Sequence, residues 1–210
     1  MKSSFYKLLF LSTALVLLTE ITNSLIGLKD LLYNSFNEQL TKKQIENAFA
    51  FQEKWHWVGY LIVPLVTIIK TSLIAGTLYM GTFFYSKILV SFKKLWGIVL
   101  SAEFVFLLVP VFKMIWFYYF KTSYKLEDIQ YFYPLSALNI VGLEGLEPWF
   151  IYPFQTLNLF EITYWLILAY NIGKATQTNM DDGLKIVIYS YGLALLLWVV
   201  TVMFITLNMA

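Results

Sequence analysis

Five long apolar stretches run through this chain of 210 residues, and they leave few folds open to it. A helix needs about 20 apolar residues to cross the roughly 30 Å hydrocarbon core of a bilayer. Only 13% of the residues are charged, against about 25% in soluble domains. The sequence therefore predicts an all-α polytopic membrane protein with five transmembrane helices, in which residues 1–210 form a single domain. The predicted spans cover approximately residues 5–28, 57–84, 95–119, 153–173 and 184–208.

The first stretch has two interpretations. Lys2 and Lys7 precede a short apolar core, as they would in a cleaved signal peptide. However, no Ala-x-Ala cleavage motif follows, and the apolar character returns at Leu25 and Ile26. We favour a retained helix.

The segment between the first two stretches is polar but amphipathic. Leu28, Leu31 and Phe36 fall on one helical face. The residues 41–44, Thr-Lys-Lys-Gln, form a capping-box pattern that starts a second short helix. Amphipathic helices of this kind lie at the membrane–water interface. We therefore expect an interfacial amphipathic helical hairpin between helices 1 and 2, with the second span beginning at Trp57. Farther along, residues 134–139 are apolar but too short to cross, which favours an interfacial or re-entrant segment.

Four of the five stretches carry a lysine or a glutamate well inside. A charge at the bilayer centre costs about 2.5–3.5 kcal/mol on insertion scales, so it needs a partner, a hydrated cavity or a function. A rise of about 1.5 Å per residue places Lys70 at a depth similar to that of Glu103. The same count places Lys113 nearer to Glu161 or Glu20, and we predict these pairs. The intramembrane ionisable residues are Glu20, Lys70, Glu103, Lys113 and Glu161.

These charges admit three roles. In the first role, the charges form structural pairs that fix helix register, and Lys113 extends its amine toward the interface. Alternatively, they line a hydrated cavity for a solute or proton, or they contact a partner protein.

Little in the sequence supports catalysis or cofactor binding. His56 is the only histidine, and its neighbours Trp55 and Trp57 are typical of a membrane interface. Ser72 is two residues from Lys70, so the two side chains point to different helix faces and do not form a dyad. The chain has no cysteine and no arginine, which argues against thiolate chemistry and against phosphate recognition. We predict no enzymatic activity, no cofactor, no metal site and no nucleic-acid partner.

Basic residues indicate the orientation. Lys87, Lys93 and Lys94 form the densest cluster in a short loop, and short basic loops stay cytoplasmic. This places the N-terminus in the cytoplasm.

Several segments resemble the bacterial branch of the Yip1 family. The sharpest of them is residues 157–165, Leu-Asn-Leu-Phe-Glu-Ile-Thr-Tyr-Trp, whose Asn158 joins the candidate polar site on this basis. The resemblance extends over residues 44–208 and implies five spans with a cytoplasmic N-terminus. The chain departs from the family in two ways. Its first span begins almost at Met1, whereas eukaryotic relatives have a sizeable cytoplasmic N-terminal region, so the resemblance does not carry over their GTPase binding. Glu103 and Lys113 also lie in a span that is usually apolar in the family. The supporting segments are residues 44–46, 92–95, 157–165 and 185–198.

The expected function is that of a scaffold or accessory subunit in a bacterial inner-membrane complex. Its partners would be the lipid bilayer and either another membrane protein or further copies of the chain. The alternative is a small-solute or ion permease that uses the intramembrane lysines and glutamates. A permease predicts a continuous polar cavity that reaches Lys70 and Glu103. A scaffold predicts paired, dry charges and an exposed small-residue or aromatic face.

Overall fold

The chain folds into helices. The computed structural model describes residues 2–37, 40–86 and 88–209. Within these ranges there are helices and no β-strand, which confirms the all-α class. In this described part of the chain, four helices are long and apolar enough to cross a membrane, and they are Ser4–Leu25, Lys42–Tyr85, Phe92–Phe120 and Met180–Met209. Lys87, from the predicted basic turn, lies outside the described residues.

Two of the long helices change their winding along their length. The helix Phe92–Phe120 tightens into a 3₁₀ turn at Glu103–Leu107 and widens into a π turn at Trp116–Phe120. The last helix contains a π turn at Ile188–Gly192. In chain order the helices are α1 (Lys2–Leu25), α2 (Leu28–Asn37), α3 (Lys42–Tyr85), α4 (Phe92–Phe120), α5 (Leu126–Tyr131), α6 (Leu138–Val141), α7 (Pro148–Thr156), α8 (Leu159–Ala175) and α9 (Met180–Met209).

Helix α3 overturns the predicted boundary between the hairpin and the second span. It continues for 44 residues without a break, because no proline precedes Pro64 in this stretch and Pro64 itself stays within the helix. Its start is as predicted, since the Gln44 side chain accepts a hydrogen bond from the Thr41 backbone at 2.9 Å. At about 1.5 Å per residue, α3 is about 66 Å long, more than twice the thickness of the hydrocarbon core.

Helix α2 lies against the first part of α3. Lys29 Nζ and Glu53 Oε1 are 2.8 Å apart, and the rings of Tyr33 and Phe49 are 6.1 Å apart. These contacts pair the two helices. Their position at a membrane interface stays a prediction.

The predicted fourth span, residues 153–173, is not one helix. The chain leaves helical geometry at Leu157 and Asn158, which separates α7 from α8. The Asn158 side chain accepts a hydrogen bond from the Glu161 backbone at 2.8 Å, so it caps the new helix. With 17 residues, α8 is about 26 Å long and slightly shorter than the hydrocarbon core.

The backbone opened by this break pairs with residues 135–137, within the segment predicted to be interfacial or re-entrant. The Ala137 nitrogen donates to the Leu157 carbonyl at 2.8 Å, and the Leu159 nitrogen donates to the Leu135 carbonyl at 3.2 Å. Buried backbone groups need such partners. The segment from Tyr133 to Asn139, called the docked loop below, therefore stabilises the break.

Helix α8 forms the centre of the core. Its residues Tyr164, Leu168 and Ile172 are fully buried. They pack in one hydrophobic cluster with residues of α3, α4 and α9, among them Ile74, Leu78, Val99 and Val187. The other helices thus cover one face of α8, while Ile162, Leu166 and Tyr170 on its opposite face stay exposed.

Two glycines allow α8 and α9 to approach closely. A Cβ atom on Gly183 would collide with the Ala169 carbonyl, and one on Gly173 would collide with the Asn179 carbonyl. The two helices are antiparallel and joined by a short turn, so the tight contact is local. Gly81 makes a similar contact between α3 and Ser190 of α9.

Helix α1 packs on α4. Leu8 and Leu11 are buried against Leu100, and Lys7 Nζ donates to Ser101 Oγ at 2.7 Å. That this helix is retained rather than cleaved as a signal peptide stays a prediction.

Candidate functional site

The irregular turns of the long helices carry polar residues of the core. Glu103 opens the 3₁₀ turn of α4, and Tyr191 lies in the π turn of α9. Glu161 is in the first turn of α8, directly after the helix break. Irregular turns inside helices are often found at functional sites. Here they bring carboxylate and hydroxyl groups of three helices into one region.

Lys70 and Glu103 form the predicted pair. Lys70 Nζ lies 2.8 Å from Glu103 Oε2, and 4.6 Å from the centroid of the Phe106 ring. The Glu103 side chain is only 6% exposed, whereas that of Lys70 is 46% exposed. The ring face offers the ammonium a second favourable contact.

One oxygen of this pair lacks a hydrogen bond. Glu103 Oε1 is buried and has no hydrogen-bond partner among the described residues, and the same is true of the Tyr164 hydroxyl. The two groups lie side by side, and the phenol makes a weak contact with the Glu103 carboxylate that falls short of a well-formed hydrogen bond. Unpaired buried polar groups are uncommon and often indicate a place for water or an ion.

Glu161 is held by two neutral donors. Trp165 Nε1 donates to its Oε1 at 2.9 Å, and the Tyr191 hydroxyl donates to the same oxygen at 2.6 Å. Oε2 accepts no hydrogen bond from the described residues and remains accessible. The carboxylate is therefore fixed in orientation with one oxygen free.

Tyrosines of the docked loop and of α7 complete the polar region. Burial raises the pKa of Tyr133, and the negative charges of Glu161 and Glu103 raise it further. Tyr152 adds to this effect and also accepts a hydrogen bond from Trp198 at 2.8 Å. Tyr133 thus stays protonated and neutral beside the two carboxylates.

The predicted pairs of Lys113 are wrong. Lys113 Nζ donates to the Ile129 carbonyl at 2.6 Å instead of reaching Glu161 or Glu20. The depths estimated along the predicted spans did not reveal this contact, because the loop after α4 folds back over the end of α4. The polar backbone of α5 therefore supplies the partner.

Glu20 also has a different partner. Its Oε1 lies 3.2 Å from His56 Nε2, and the Tyr60 hydroxyl lies 3.2 Å from His56 Nδ1. In this arrangement Nε2 is placed to donate to the carboxylate, and Nδ1 contacts the phenol. The structure therefore separates Glu20 and Lys113 from the group around Lys70, Glu103 and Glu161.

Asn158 has a structural position. Besides capping α8, its amide nitrogen donates to the carbonyls of Gln155 at 2.9 Å and Thr156 at 3.0 Å. It holds the two sides of the helix break together and lies beside Glu161 in the chain.

A large apolar cleft opens next to this polar region. Its volume is about 1110 Å³, and it is bounded by the end of α4, by α5 and the docked loop, and by α8 and α9. Its charged lining residues are Lys121, Asp128 and Glu161, while neither Lys70 nor Glu103 lines it. Lys121 Nζ and Asp128 Oδ1 are 2.7 Å apart, and this contact holds the pKa of Asp128 below its ordinary value.

Sequence reasoning missed the neutral partners of Glu161. Trp165 lies four residues after Glu161. This spacing places both side chains on one helix face, so their contact could have been predicted from the sequence. The contact of Tyr191 with Glu161 could not be predicted from the sequence, because the position of Tyr191 depends on a π turn. Among the described residues, no group of three or more His, Asp or Glu side chains is placed to hold a metal ion.

Comparison with known protein families, curated proteins and solved structures finds no match to this chain. The resemblance to Yip1 proteins therefore stays a prediction.

Proposed function

We propose that the protein is a non-enzymatic scaffold or accessory subunit of a bacterial inner-membrane complex. In this proposal it is a Yip1-like protein whose five spans include the short helix α8, whose N-terminus is cytoplasmic, and whose hairpin of α2 and early α3 is on the outer side of the membrane. Its partners are the bilayer and either a membrane protein or further copies of the chain.

The arrangement of the intramembrane charges supports this proposal over transport. Lys70 and Glu103 pair with each other at 2.8 Å, and Glu161 is held by Trp165 and Tyr191. The large cleft reaches Glu161 but is lined mainly by apolar side chains. A transport path through Lys70 and Glu103 would need polar walls.

We infer a candidate partner surface from the length of α3. With about 66 Å of helix, α3 extends well beyond one face of the bilayer. On this extension Phe51 and Trp55 are 65% and 47% exposed, and their ring centroids are 6.1 Å apart. Trp57 stacks on Trp55 at 6.3 Å. We call these three residues the aromatic patch, and we propose it as the contact surface.

Site-specific photo-crosslinking in intact membranes tests this proposal. A photoreactive phenylalanine analogue placed at Phe51 should give defined crosslinked products. The matched control is Phe84, which is 76% exposed at the opposite end of α3. Products from Phe51 and not from Phe84, together with co-purification in gentle detergent, support the proposal. If Phe51 yields no crosslinked protein, the aromatic patch serves only to anchor the helix at the interface.

One observation favours a permease as a second candidate. Glu103 Oε1 and the Tyr164 hydroxyl are buried with only a weak contact between them and no well-formed hydrogen bond in the described part of the chain, an arrangement that water or an ion would complete. Flux measurements in liposomes with Lys70→Met and Glu103→Gln test it. Solute or proton flux that disappears in both folded variants would replace the scaffold proposal.

A further inference from the structure

The apolar cleft has the size of a lipid-binding site. Sites for small molecules in proteins occupy about 300–1,000 Å³, and this cleft measures about 1110 Å³. Its walls include Phe112, Trp116, Ile162, Leu166 and Leu195. The ligand best suited to such walls inside a membrane is an amphiphile with hydrocarbon chains.

The apolar walls alone do not select a ligand. Lipid chains are as apolar as leucine, so moving a chain from the bilayer into the cleft gains little hydrophobic free energy. Selectivity must therefore come from the polar groups that line the cleft.

Among the charged residues that line the cleft, Glu161 has no ion-pair partner in the described part of the chain. Lys121 and Asp128 neutralise each other at 2.7 Å. Glu161 receives two neutral donors on Oε1, while its Oε2 stays accessible. An intramembrane carboxylate is best satisfied by a cationic partner. An ammonium group has three N–H donors for such an oxygen, whereas an anionic head group would be repelled.

The position of Glu161 suits contact with a head group. It is the third residue of α8, which begins at Leu159. Because α8 is slightly shorter than the hydrocarbon core, its first turn lies near one edge of that core when the helix crosses the bilayer. The carboxylate is therefore within reach of the head-group region.

We propose that the cleft binds a membrane lipid whose head group carries a primary ammonium. The ammonium donates to Glu161 Oε2, and the hydrocarbon chains lie along Ile162, Leu166 and Leu195. This site is separate from the aromatic patch, so either proposal can fail without the other.

Native mass spectrometry of the full-length protein tests the site. The protein, in a neutral maltoside detergent, is given equal amounts of phosphatidylethanolamine and phosphatidylglycerol with identical chains. A charge-assisted hydrogen bond predicts a preference of about tenfold for phosphatidylethanolamine. Glu161→Gln should reduce the ratio to about one. The control Glu20→Gln should keep the preference, because Glu20 contacts His56 and does not line the cleft.

A second variant tests the cleft independently of the charge. Leu166→Trp fills the space and should reduce the retention of both lipids. The proposal is overturned if the wild-type protein retains neither lipid, if phosphatidylglycerol is preferred, or if Glu161→Gln keeps the preference. It is also overturned if the protein carries no lipid but forms a dimer that Leu166→Trp dissociates, since a second copy would then occupy the cleft.

Discussion

At the scale of single residues, the ionisable groups in the spans are satisfied in different ways. Lys70 finds a charged partner in Glu103, Lys113 finds a backbone carbonyl, and Glu161 finds an indole and a phenol. Each contact gives a polar group the partner that it needs inside the membrane, because an unsatisfied polar group in hydrocarbon costs several kcal/mol. Only the first of these partners was predictable from depth along a helix.

The hydroxyl of Tyr191 provides a measurable contribution to stability. Tyr191→Phe removes the donor to Glu161 at 2.6 Å while keeping the ring. We expect the free energy of unfolding to fall by about 1–3 kcal/mol, the value for a hydrogen bond to a charged group or the loss of a buried donor. Unfolding in mixed micelles by increasing denaturing detergent measures the change. The control Tyr189→Phe, at an exposed ring, should differ little from the wild-type protein, and an equal loss in both variants would contradict the assignment.

The contact between Lys121 and Asp128 predicts a pH dependence. The pKa of Asp128 lies below its ordinary value of 3.8, mainly because the Lys121 side chain donates to it. The contact therefore contributes stability above this ordinary value, and the contribution is lost as the pH falls through the lower, folded-state pKa. Because both side chains are partly exposed, the effect should stay below about 1 kcal/mol.

Melting temperatures of the wild-type protein and Asp128→Asn should thus differ at pH 6 and converge in strong acid. A constant difference across this range would show that the charge on Asp128 is not the cause. Lys185→Met, which removes an exposed ion pair on α9, controls for general charge effects.

At the scale of elements, glycine contacts decide how α8 and α9 pair. Gly183→Ala places a methyl group against the Ala169 carbonyl, which is backbone and cannot rotate away. Overpacking of this kind costs about 1–3 kcal/mol or more. Gly76→Ala is the control, because nothing lies within 4 Å of its added Cβ, and it should be neutral or stabilising by up to about 1 kcal/mol. Thermal unfolding of the two variants in detergent distinguishes them, and equal stability would mean that the helices separate without strain.

The ends of the helices were the feature of the fold that was least predictable from the sequence. The capping box at Thr41 was recognised, but the continuity of α3 through Trp55–Trp57 was not, since interfacial aromatic residues mark a membrane boundary without ending a helix. The break at Asn158 was missed for the opposite reason. Its local signal was that of a cap, yet the long apolar run around it suggested an unbroken span. The helix breaks at Asn158 because the backbone there pairs with Leu135 and Ala137, which are distant in the sequence. No periodic pattern in the sequence predicts such pairing.

At the scale of the whole molecule, the number of crossings depends on α8. Because the chain has no native cysteine, single cysteines report topology directly. We expect Glu144→Cys and Thr178→Cys to react with a membrane-impermeant thiol reagent from opposite sides, since α8 lies between them. Lys94→Cys and Glu144→Cys flank α4 and serve as the control for opposite sides. Labelling of residues 144 and 178 from the same side would reduce the crossings to four.

The close pairing of α8 with α9 has a consequence for biosynthesis. Helix α8 is short, carries Glu161 in its first turn, and packs one face against other helices. On its own it offers the insertion machinery a weak signal. Its glycine-lined contact with α9 becomes available only after residues 180–209 have been synthesised. Helix α8 should therefore enter the bilayer late, as one half of a hairpin that inserts as a unit.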